Sequence, residues 1–172
     1  MSLSYYDHAV DIETWWDEAK YERAYHRSKK LAHRQGGHNK FLESIQAWIL
    51  IKASRDFWSE FDTYRAGITK QSSSTMHTLD KRIAVKSDFD PETTEVAIEN
   101  LNALVNAKAP ISVIKKNLPE GWLQERMVCT NYKTLQNIVA QRHNHRLKQW
   151  PQFVEELLQW VRHPEYLVNK EK

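Results

Sequence analysis

The sequence has little cysteine and no long apolar run. Its only cysteine, Cys129, excludes an intrachain disulfide framework and predicts a reducing compartment. No stretch approaches the ~20 apolar residues that a membrane-spanning helix requires. Residues 1–8 also lack the basic and apolar regions of a secretory signal. We therefore expect a cytoplasmic protein with no membrane partner.

Several motifs of common binding sites are also missing. The sequence contains no G-x-x-x-x-G-K-[ST], no G-x-G-x-x-G and no H-E-x-x-H. His143 and His145 have no acidic or cysteine partner at a metal-ligand spacing, so a surface or structural pair is favoured and no metal is predicted. Nothing in the sequence activates Cys129 as a nucleophile, and we interpret it as a small buried hydrophobic residue.

What the chain does have is typical of one globular domain. It contains 172 residues, of which 41% are hydrophobic and 27% are charged, enough to form a full core over residues 1–172. Most of the periodic segments are helical and few are extended, which predicts an α+β class, not an alternating α/β sheet. Seven tryptophans and seven tyrosines are interpreted mainly as packing residues.

The clearest strand signal lies in the first third of the chain. Apolar residues alternate with other residues over Ile45–Lys52, which predicts a strand that is buried on at least one face. Ser54 is a candidate helix cap, and the helix that follows is expected to end near Gly67. The polar segment Ile68–His77 shows neither period, and we predict a loop.

The remaining elements are predicted to be helices. One opens at Asp11 and ends at Gly36-Gly37, and others begin at Asp90-Pro91 and at Pro151. Pro110 is expected to begin a short helix. Trp122–Cys129 is ambiguous between extended and irregular structure. Thr130 or Asn131 is predicted to cap a helix that carries Leu135, Ile138 and Arg142 on one face.

A basic stretch stands out at Lys20–Lys40. It holds seven lysines and arginines against one glutamate, which is a local net charge of +6 in a chain whose net charge is +3. A solvated helix face explains this pattern most simply. A surface that faces phosphate groups is the functional alternative.

Arg142 is unusual because it shares an otherwise apolar helix face. A buried arginine needs a carboxylate or a phosphate to offset its desolvation. The Lys70–Thr75 segment offers hydroxyl and amide groups, which are typical phosphate ligands. An internal arginine–glutamate pair beside a solvated segment is the simpler alternative.

The order of these features resembles the flavin-dependent thymidylate synthases. The likeness runs through Gly37–Leu79 and continues over Leu118–Trp150, together somewhat under half of the chain. The residues that carry it are Gly37, His38, Glu43, Lys52, Ala53, Arg65, Ser73, Leu118, Pro119, Asn131, Leu135, Asn137, Arg142, Gln149 and Trp150. The resemblance implies a helix-rich α+β domain with a small antiparallel sheet, and a homotetramer.

It also implies a chemistry. The family transfers a one-carbon unit from methylenetetrahydrofolate to deoxyuridylate, uses FAD bound at subunit interfaces, and takes reducing equivalents from NADPH. The flavin carries the difficult step, so no cysteine nucleophile is needed. Both a methyl and a hydroxymethyl product are open.

Individual roles follow only from this resemblance. Cofactor binding is implied for His38, Arg65, Asn131, Lys133 and Asn137. Substrate binding is implied for Glu60, Gln71, Ser73 and Arg142. The last two are also the implied catalytic residues, because Ser73 falls in the substrate loop and Arg142 can stabilise negative charge on a pyrimidine ring.

The family pattern is not fully kept. Thr63 and Tyr64 stand where the family has the Arg and the His of its Arg-His-Arg signature, and Gln71 and Thr75 replace a loop glutamate and arginine. Lys133 replaces a flavin-contacting arginine, and a residue is inserted near Trp150. Lost arginines remove bidentate phosphate contacts. An active one-carbon transferase is thus one hypothesis. A protein that has lost catalysis and binds a nucleotide or nucleic acid is the other.

Overall fold

The computed structural model describes residues 2–6, 18–75 and 79–169. Four strands and six α-helices are described. They are β1 (Ser2–Tyr6), α1 (Glu18–Ala32), β2 (Gln46–Ser54), α2 (Arg55–Phe61), β3 (Ile68–Ser72), α3 (Glu95–Asn106), α4 (Ile111–Lys116), β4 (Leu123–Asn131), α5 (Tyr132–Arg142) and α6 (Gln149–Trp160). Short 3₁₀ turns lie at Lys40–Glu43, Lys86–Asp88 and Pro164–Tyr166. The predicted helix-rich α+β class with a small antiparallel sheet is confirmed.

The sheet has the strand order β1-β2-β4-β3. Hydrogen bonds beyond the strand ends show that β2 and β4 run antiparallel. The N–H of Tyr132 donates to the carbonyl of Ile45 at 3.0 Å, and the N–H of Arg55 donates to the carbonyl of Glu120 at 2.8 Å. On β2, Ala47, Ile49, Ile51 and Ala53 are buried, as the alternating sequence predicts.

The chain divides into two compact units. The first contains Leu50–Tyr64 and the described part of Lys70–Met127. The second contains Arg65–Thr69 together with the described parts of Leu3–Ile49 and Val128–Lys172. The prediction of a single domain over residues 1–172 stays a prediction.

The first unit has a core built largely from α3, α4 and the segments beside them. Its buried residues are Leu79, Ala84, Phe89, Ile98, Leu101, Ile114 and Leu118. Phe57, Trp58 and Phe61 are also buried, on the inner face of α2. Asp88 accepts two hydrogen bonds from Arg82, at 2.5 and 2.6 Å, and these bonds lower the pKa of Asp88 against the opposing effect of its burial.

In the second unit, α5 packs on α6 and on the 3₁₀ turn Lys40–Glu43. The amide of Gln136 on α5 donates to the carbonyls of Ala32 at 2.9 Å and Tyr166 at 2.7 Å, so it ties α1 to the end of the described chain. The hydroxyl of Tyr25 donates to Glu165 at 2.7 Å, and this bond raises the pKa of Tyr25 to about 12.

One predicted loop is wrong. The first part of Ile68–His77 forms the strand β3, whereas residues 76–78 lie outside the described part of the chain. β3 is an edge strand of the described sheet, and such a strand is paired with a neighbouring strand on one side only. Only Ile68 and Lys70 are half-buried, and this weak alternation hid the strand. The ambiguous Trp122–Cys129 is mostly the strand β4, and β1 was not predicted.

Three predicted helix boundaries are also wrong. The helix placed at Asp90-Pro91 begins at Glu95, because Asp90 is bonded to Gly121 across an antiparallel bridge (2.7 Å) and Thr94 supplies the cap. The last helix begins at Gln149, which places Pro151 within a first turn whose N–H groups need no helical partner.

The third boundary concerns α2, which ends at Phe61, well before Gly67. The first predicted helix is described from Glu18, and its predicted start at Asp11 lies outside the described residues. That helix ends at Ala32, and Gly36 and Gly37 follow with φ of 76° and 86°. The short helix predicted to begin at Pro110 is confirmed as α4, and of the two candidate caps for α5 it is Asn131 that supplies the bond.

None of the helices in the described ranges is long and apolar enough to cross a membrane. Cys129 is half-buried instead of buried, because β4 points its neighbours Val128 and Thr130 into the interior and leaves the thiol on the other face.

Candidate functional site

The second unit brings the segment before β3 against the start of α5. Asn131 caps α5, because its side-chain oxygen accepts the N–H of Thr134 at 2.9 Å. The hydroxyl of Thr134 in turn donates to the carbonyl of Ala66 at 3.2 Å. The hydroxyl of Thr130 donates to the carbonyl of Gly67 at 2.9 Å. Two of the predicted cofactor residues, Arg65 and Asn131, are therefore held in neighbouring segments.

Gly67 is required for the close contact between the Arg65–Thr69 segment and the start of α5. Its φ is +69°, a conformation that side chains rarely adopt. A Cβ placed on Gly67 would lie 2.6 Å from the Thr134 hydroxyl and 2.9 Å from the Asn131 amide nitrogen. The Arg65–Thr69 segment can approach α5 this closely only because residue 67 has no side chain.

Lys133 and Asn137 share one face of α5, since they are four residues apart. Lys133 is half-buried and Asn137 is exposed. The Asn137 oxygen accepts the Gln141 amide at 3.0 Å, which leaves the Asn137 NH₂ group pointing elsewhere on that face. Together with the exposed Arg65, this unit supplies two cations and an amide donor at solvent-accessible positions.

His38 precedes the 3₁₀ turn that packs on α5. The side chain of His38 is exposed, whereas the next residue, Asn39, is buried and donates to the carbonyl of Ala32 at 3.2 Å. The buried side chain of Asn39 thus fixes the backbone next to His38, and the imidazole of His38 is accessible to a ligand.

Arg142 is the last residue of α5 and is half-buried. Its guanidinium lies 4.6 Å from the ring centre of Trp150, which is fully buried, and one of its nitrogens is 2.8 Å from Nε2 of His145. The N–H of Leu147 is 3.2 Å from Nδ1 of the same ring. A neutral imidazole has only one acceptor nitrogen, so the shorter contact, with Arg142, is the hydrogen bond.

The predicted substrate residues outside α5 lie in the first unit. Glu60 is half-buried on α2, and Gln71 and Ser73 are exposed at the end of β3 and just beyond it. The structure thus places Glu60, Gln71 and Ser73 in one unit, and the predicted cofactor residues and Arg142 in the other.

The first unit also contains an ion cluster that the sequence did not reveal. Asp62 contacts Lys70 at 2.6 Å and Arg126 at 3.2 Å. The Arg126 guanidinium lies 4.4 Å from the ring centre of Trp58, and its Nε is buried without a hydrogen-bond partner among the described residues. Burial raises the pKa of Asp62, but Lys70 and Arg126 outweigh that effect and lower it. A charge pairing between residues 64 positions apart leaves no local signal.

The altered signature residues are also in the first unit. Thr63 is exposed, and its hydroxyl donates to the carbonyl of Glu60 at 2.7 Å, which closes the end of α2. The ring of Tyr64 lies 6.2 Å from that of Phe61. These two residues therefore serve the local structure around α2.

Two solved structures similar to this chain are of ThyX, thymidylate synthase X, from Helicobacter pylori, both with FAD and dUMP. One has a TM-score of 0.70 and 22% identity over 83% of this chain and 82% of its own. The other has a TM-score of 0.72 and 19% identity over 90% and 86%. The chain has a ThyX-like fold. No protein-family model matches it, and no curated protein does. At this identity the likeness shows the fold alone.

The residues present fit a flavin dinucleotide. Arg65 and Lys133 can pair with its pyrophosphate, and Asn137 and His38 offer polar groups to its rings, all from solvent-accessible positions of one unit. Within the described residues, no three His, Cys, Asp or Glu side chains form a set that could hold a metal ion. His143 and His145 are engaged separately, with the carbonyl of Val139 and with Arg142.

Proposed function

We propose that this protein is a flavin-dependent thymidylate synthase-like enzyme, which transfers a one-carbon unit to C5 of deoxyuridine monophosphate. The observation that carries the proposal is the seating of the Arg65–Thr69 segment on the start of α5. Through the bonds of Thr130 and Thr134 it brings the segment of Arg65, which resembles the last arginine of the family signature, against the segment of Asn131, within a fold shared with ThyX. Gly67 makes this approach sterically possible.

FAD is the proposed cofactor, held by His38, Arg65, Asn131, Lys133 and Asn137. When bound, it supplies the hydride chemistry that amino-acid side chains cannot. Arg65 and Lys133 neutralise its phosphates, and Lys133 does so as a point charge where a planar arginine would bind two oxygens. The side-chain oxygen of Asn131 is already used as the helix cap of α5.

Arg142 is the proposed group for the pyrimidine. Its guanidinium is oriented by the Trp150 ring and by His145, so little reorganisation accompanies the reaction. A fixed cation beside a uracil carbonyl stabilises the negative charge that develops when C5 becomes a nucleophile. The apolar ring below it strengthens that interaction by excluding water.

Ser73, Gln71 and Glu60 are also proposed to bind the nucleotide, as the resemblance implies. Ser73 and Gln71 offer neutral donors to the phosphate, where an arginine at Thr75 would offer a charged fork. Deoxyuridylate is therefore expected to bind more weakly than in a protein that has arginines at the positions of Thr63 and Thr75. NADPH and methylenetetrahydrofolate are the proposed reductant and one-carbon donor.

A conversion assay tests the proposal. Protein reconstituted with FAD is incubated with deoxyuridylate, NADPH and methylenetetrahydrofolate, and the nucleotides are separated and weighed by mass spectrometry. We expect a FAD-dependent product that carries a methyl or a hydroxymethyl group at C5. Loss of product in Arg142→Ala, with Arg162→Ala as the control for an exposed arginine of the same unit, would assign the activity to the proposed site. Complete conversion failure with bound FAD would contradict it.

A second candidate is a protein of the same fold that has lost catalysis and still binds a nucleotide. Thr63 and Tyr64 favour it, because they make local contacts around α2 where the family has an Arg-His pair. This candidate predicts measurable deoxyuridylate affinity without turnover. Calorimetric titration with deoxyuridylate, beside the conversion assay, separates the two.

The proposed assembly is a homotetramer in the cytoplasm, because flavin sites shared between subunits need more than one copy. Light scattering should give the mass of four chains of 20.4 kDa. A stable monomer that binds FAD would overturn a site shared between subunits.

A further inference from the structure

The exposed face of α1 carries a row of cations, which we call the α1 stripe. Its members are Lys20, Arg23, Arg27, Lys30 and Arg34. Successive members are three or four residues apart, which places the four helical ones on one face of α1, and Arg34 follows two residues after the helix end. All five are exposed, and none forms a hydrogen bond or ion pair with another described residue.

The opposite face of α1 is occupied. Tyr25 bonds to Glu165, the Ser28 hydroxyl lies 2.7 Å from that of Tyr166, and Ala32 is buried. These contacts fix the rotation of α1 about its axis. The stripe therefore points to solvent as a preformed row, and binding a partner would not require the helix to order or turn.

Charge in this chain is concentrated at the stripe. The stretch Lys20–Lys40 has a net charge of +6 in a chain of +3, which leaves −3 for all other residues. Glu22, the one acidic residue within the stretch, contacts His26 at 3.9 Å on the flank of the helix and does not neutralise the row. Such an asymmetric charge attracts an anionic polymer at long range.

We propose that the α1 stripe binds the phosphate backbone of double-stranded nucleic acid without reading its sequence. From Lys20 to Lys30 the helix rises ~15 Å, and duplex DNA carries one negative charge per ~1.7 Å of its axis when both strands are counted. A row of this length therefore meets several phosphates of the duplex. None of the stripe residues is among those proposed for deoxyuridylate, and this inference does not depend on that proposal.

Two other anionic partners fit less well. A membrane surface is bound by a basic helix that also presents an apolar face, and the other face of α1 is already packed. Single strands are bound by aromatic side chains placed among the cations. Here Tyr21 and Tyr25 stack on each other at 6.2 Å, away from the stripe.

The test is fluorescence anisotropy with a labelled DNA duplex of about 20 base pairs, measured over a series of salt concentrations. The stripe variant is Arg23→Gln/Arg27→Gln/Lys30→Gln, which keeps good helix formers on α1. The control is Lys81→Gln/Lys115→Gln/Lys116→Gln, which removes the same charge from exposed positions of the first unit. Circular dichroism and thermal unfolding confirm that both variants fold.

We expect wild-type protein to bind two duplexes of unrelated sequence equally, with affinity that falls steeply as salt rises. The stripe variant should lose at least about tenfold in affinity at low salt, and its log–log salt slope should fall by roughly 2 to 3. The control should lose less than about threefold, since distant charges contribute weakly through screening.

Several results would overturn the proposal. These are no duplex binding by wild type at low salt, equal losses in the stripe and control variants, or tighter binding to a single strand of the same length. Tighter binding to vesicles containing phosphatidylserine would also overturn it. Displacement of the duplex by free deoxyuridylate would place the DNA in the nucleotide site instead. Unchanged deoxyuridylate affinity in the stripe variant is expected.

Discussion

The two segments that resemble the thymidylate synthases are held in different ways. In the second unit, Thr130 and Thr134 join Gly67 and Ala66 through bonds between residues more than 60 positions apart. In the first unit, the substituted Thr63 bonds to Glu60, three residues away. Contacts between distant parts of the sequence thus hold the Arg65–Thr69 segment, whereas Thr63 bonds within its own helix end.

That difference separates cofactor binding from substrate binding. The retained Arg65 and Asn131 belong to the proposed flavin residues, whereas the replaced Gln71 belongs to those proposed for the nucleotide. Two cations of the first unit, Lys70 and Arg126, are paired with Asp62. We therefore expect flavin binding to be better preserved than nucleotide affinity.

The largest expected effect is on the nucleotide, at Arg142. Arg142→Ala should weaken deoxyuridylate binding by about 2–5 kcal/mol if its guanidinium meets a buried polar group of the ligand. Calorimetric titration measures this, with Arg162→Ala as the control. Unchanged affinity together with a lower melting temperature would mean that Arg142 only packs on Trp150. Arg142 would then not be a nucleotide-binding residue.

Gly67→Ala should disrupt the contact between the Arg65–Thr69 segment and the start of α5. The added Cβ must displace the Thr134 hydroxyl and the Asn131 amide, and we expect a loss of about 2–3 kcal/mol in stability. Gly36→Ala is the matched control, because its φ of +76° carries the same backbone strain but its Cβ would meet nothing closer than 4.0 Å. That control should cost about 1 kcal/mol. Equal losses in urea unfolding would show that the close approach is unimportant.

Asn131→Asp separates the structural role of this residue from its cofactor role. Aspartate caps a helix as well as asparagine does, so stability should hold. FAD affinity should nevertheless fall roughly tenfold, because a carboxylate cannot donate and repels the pyrophosphate. Flavin fluorescence titration gives the affinity. A variant with unchanged affinity would restrict Asn131 to capping α5.

The smallest expected effect is on stability, at Asp62 in the first unit. Its folded pKa is lowered, so its contribution to stability is present above the unfolded pKa of ~3.9 and is lost as pH falls through the folded value. Asp62→Asn should cost about 0.5–1 kcal/mol at neutral pH, because the carboxylate is 47% exposed. Urea unfolding at neutral and acidic pH should show the difference vanish in acid.

How much could be predicted from sequence depends on the range of the interactions. The buried face of β2 and the cap at Asn131 were predictable because alternation and capping are local signals. The Asp62–Arg126 pair was not, and β3 was missed because an edge strand needs little apolar alternation. The resemblance supplied the fold that composition could not, and the roles of the individual site residues stay predictions.

Titration of the purified protein with FAD tests most directly whether the proposed residues of the second unit bind a flavin. We expect a yellow complex with a bound-flavin absorbance spectrum, saturating at one FAD per chain, and weakened in Asn131→Asp and Gly67→Ala but not in Arg162→Ala. A folded protein that stays colourless and leaves the spectrum of free FAD unchanged would contradict it.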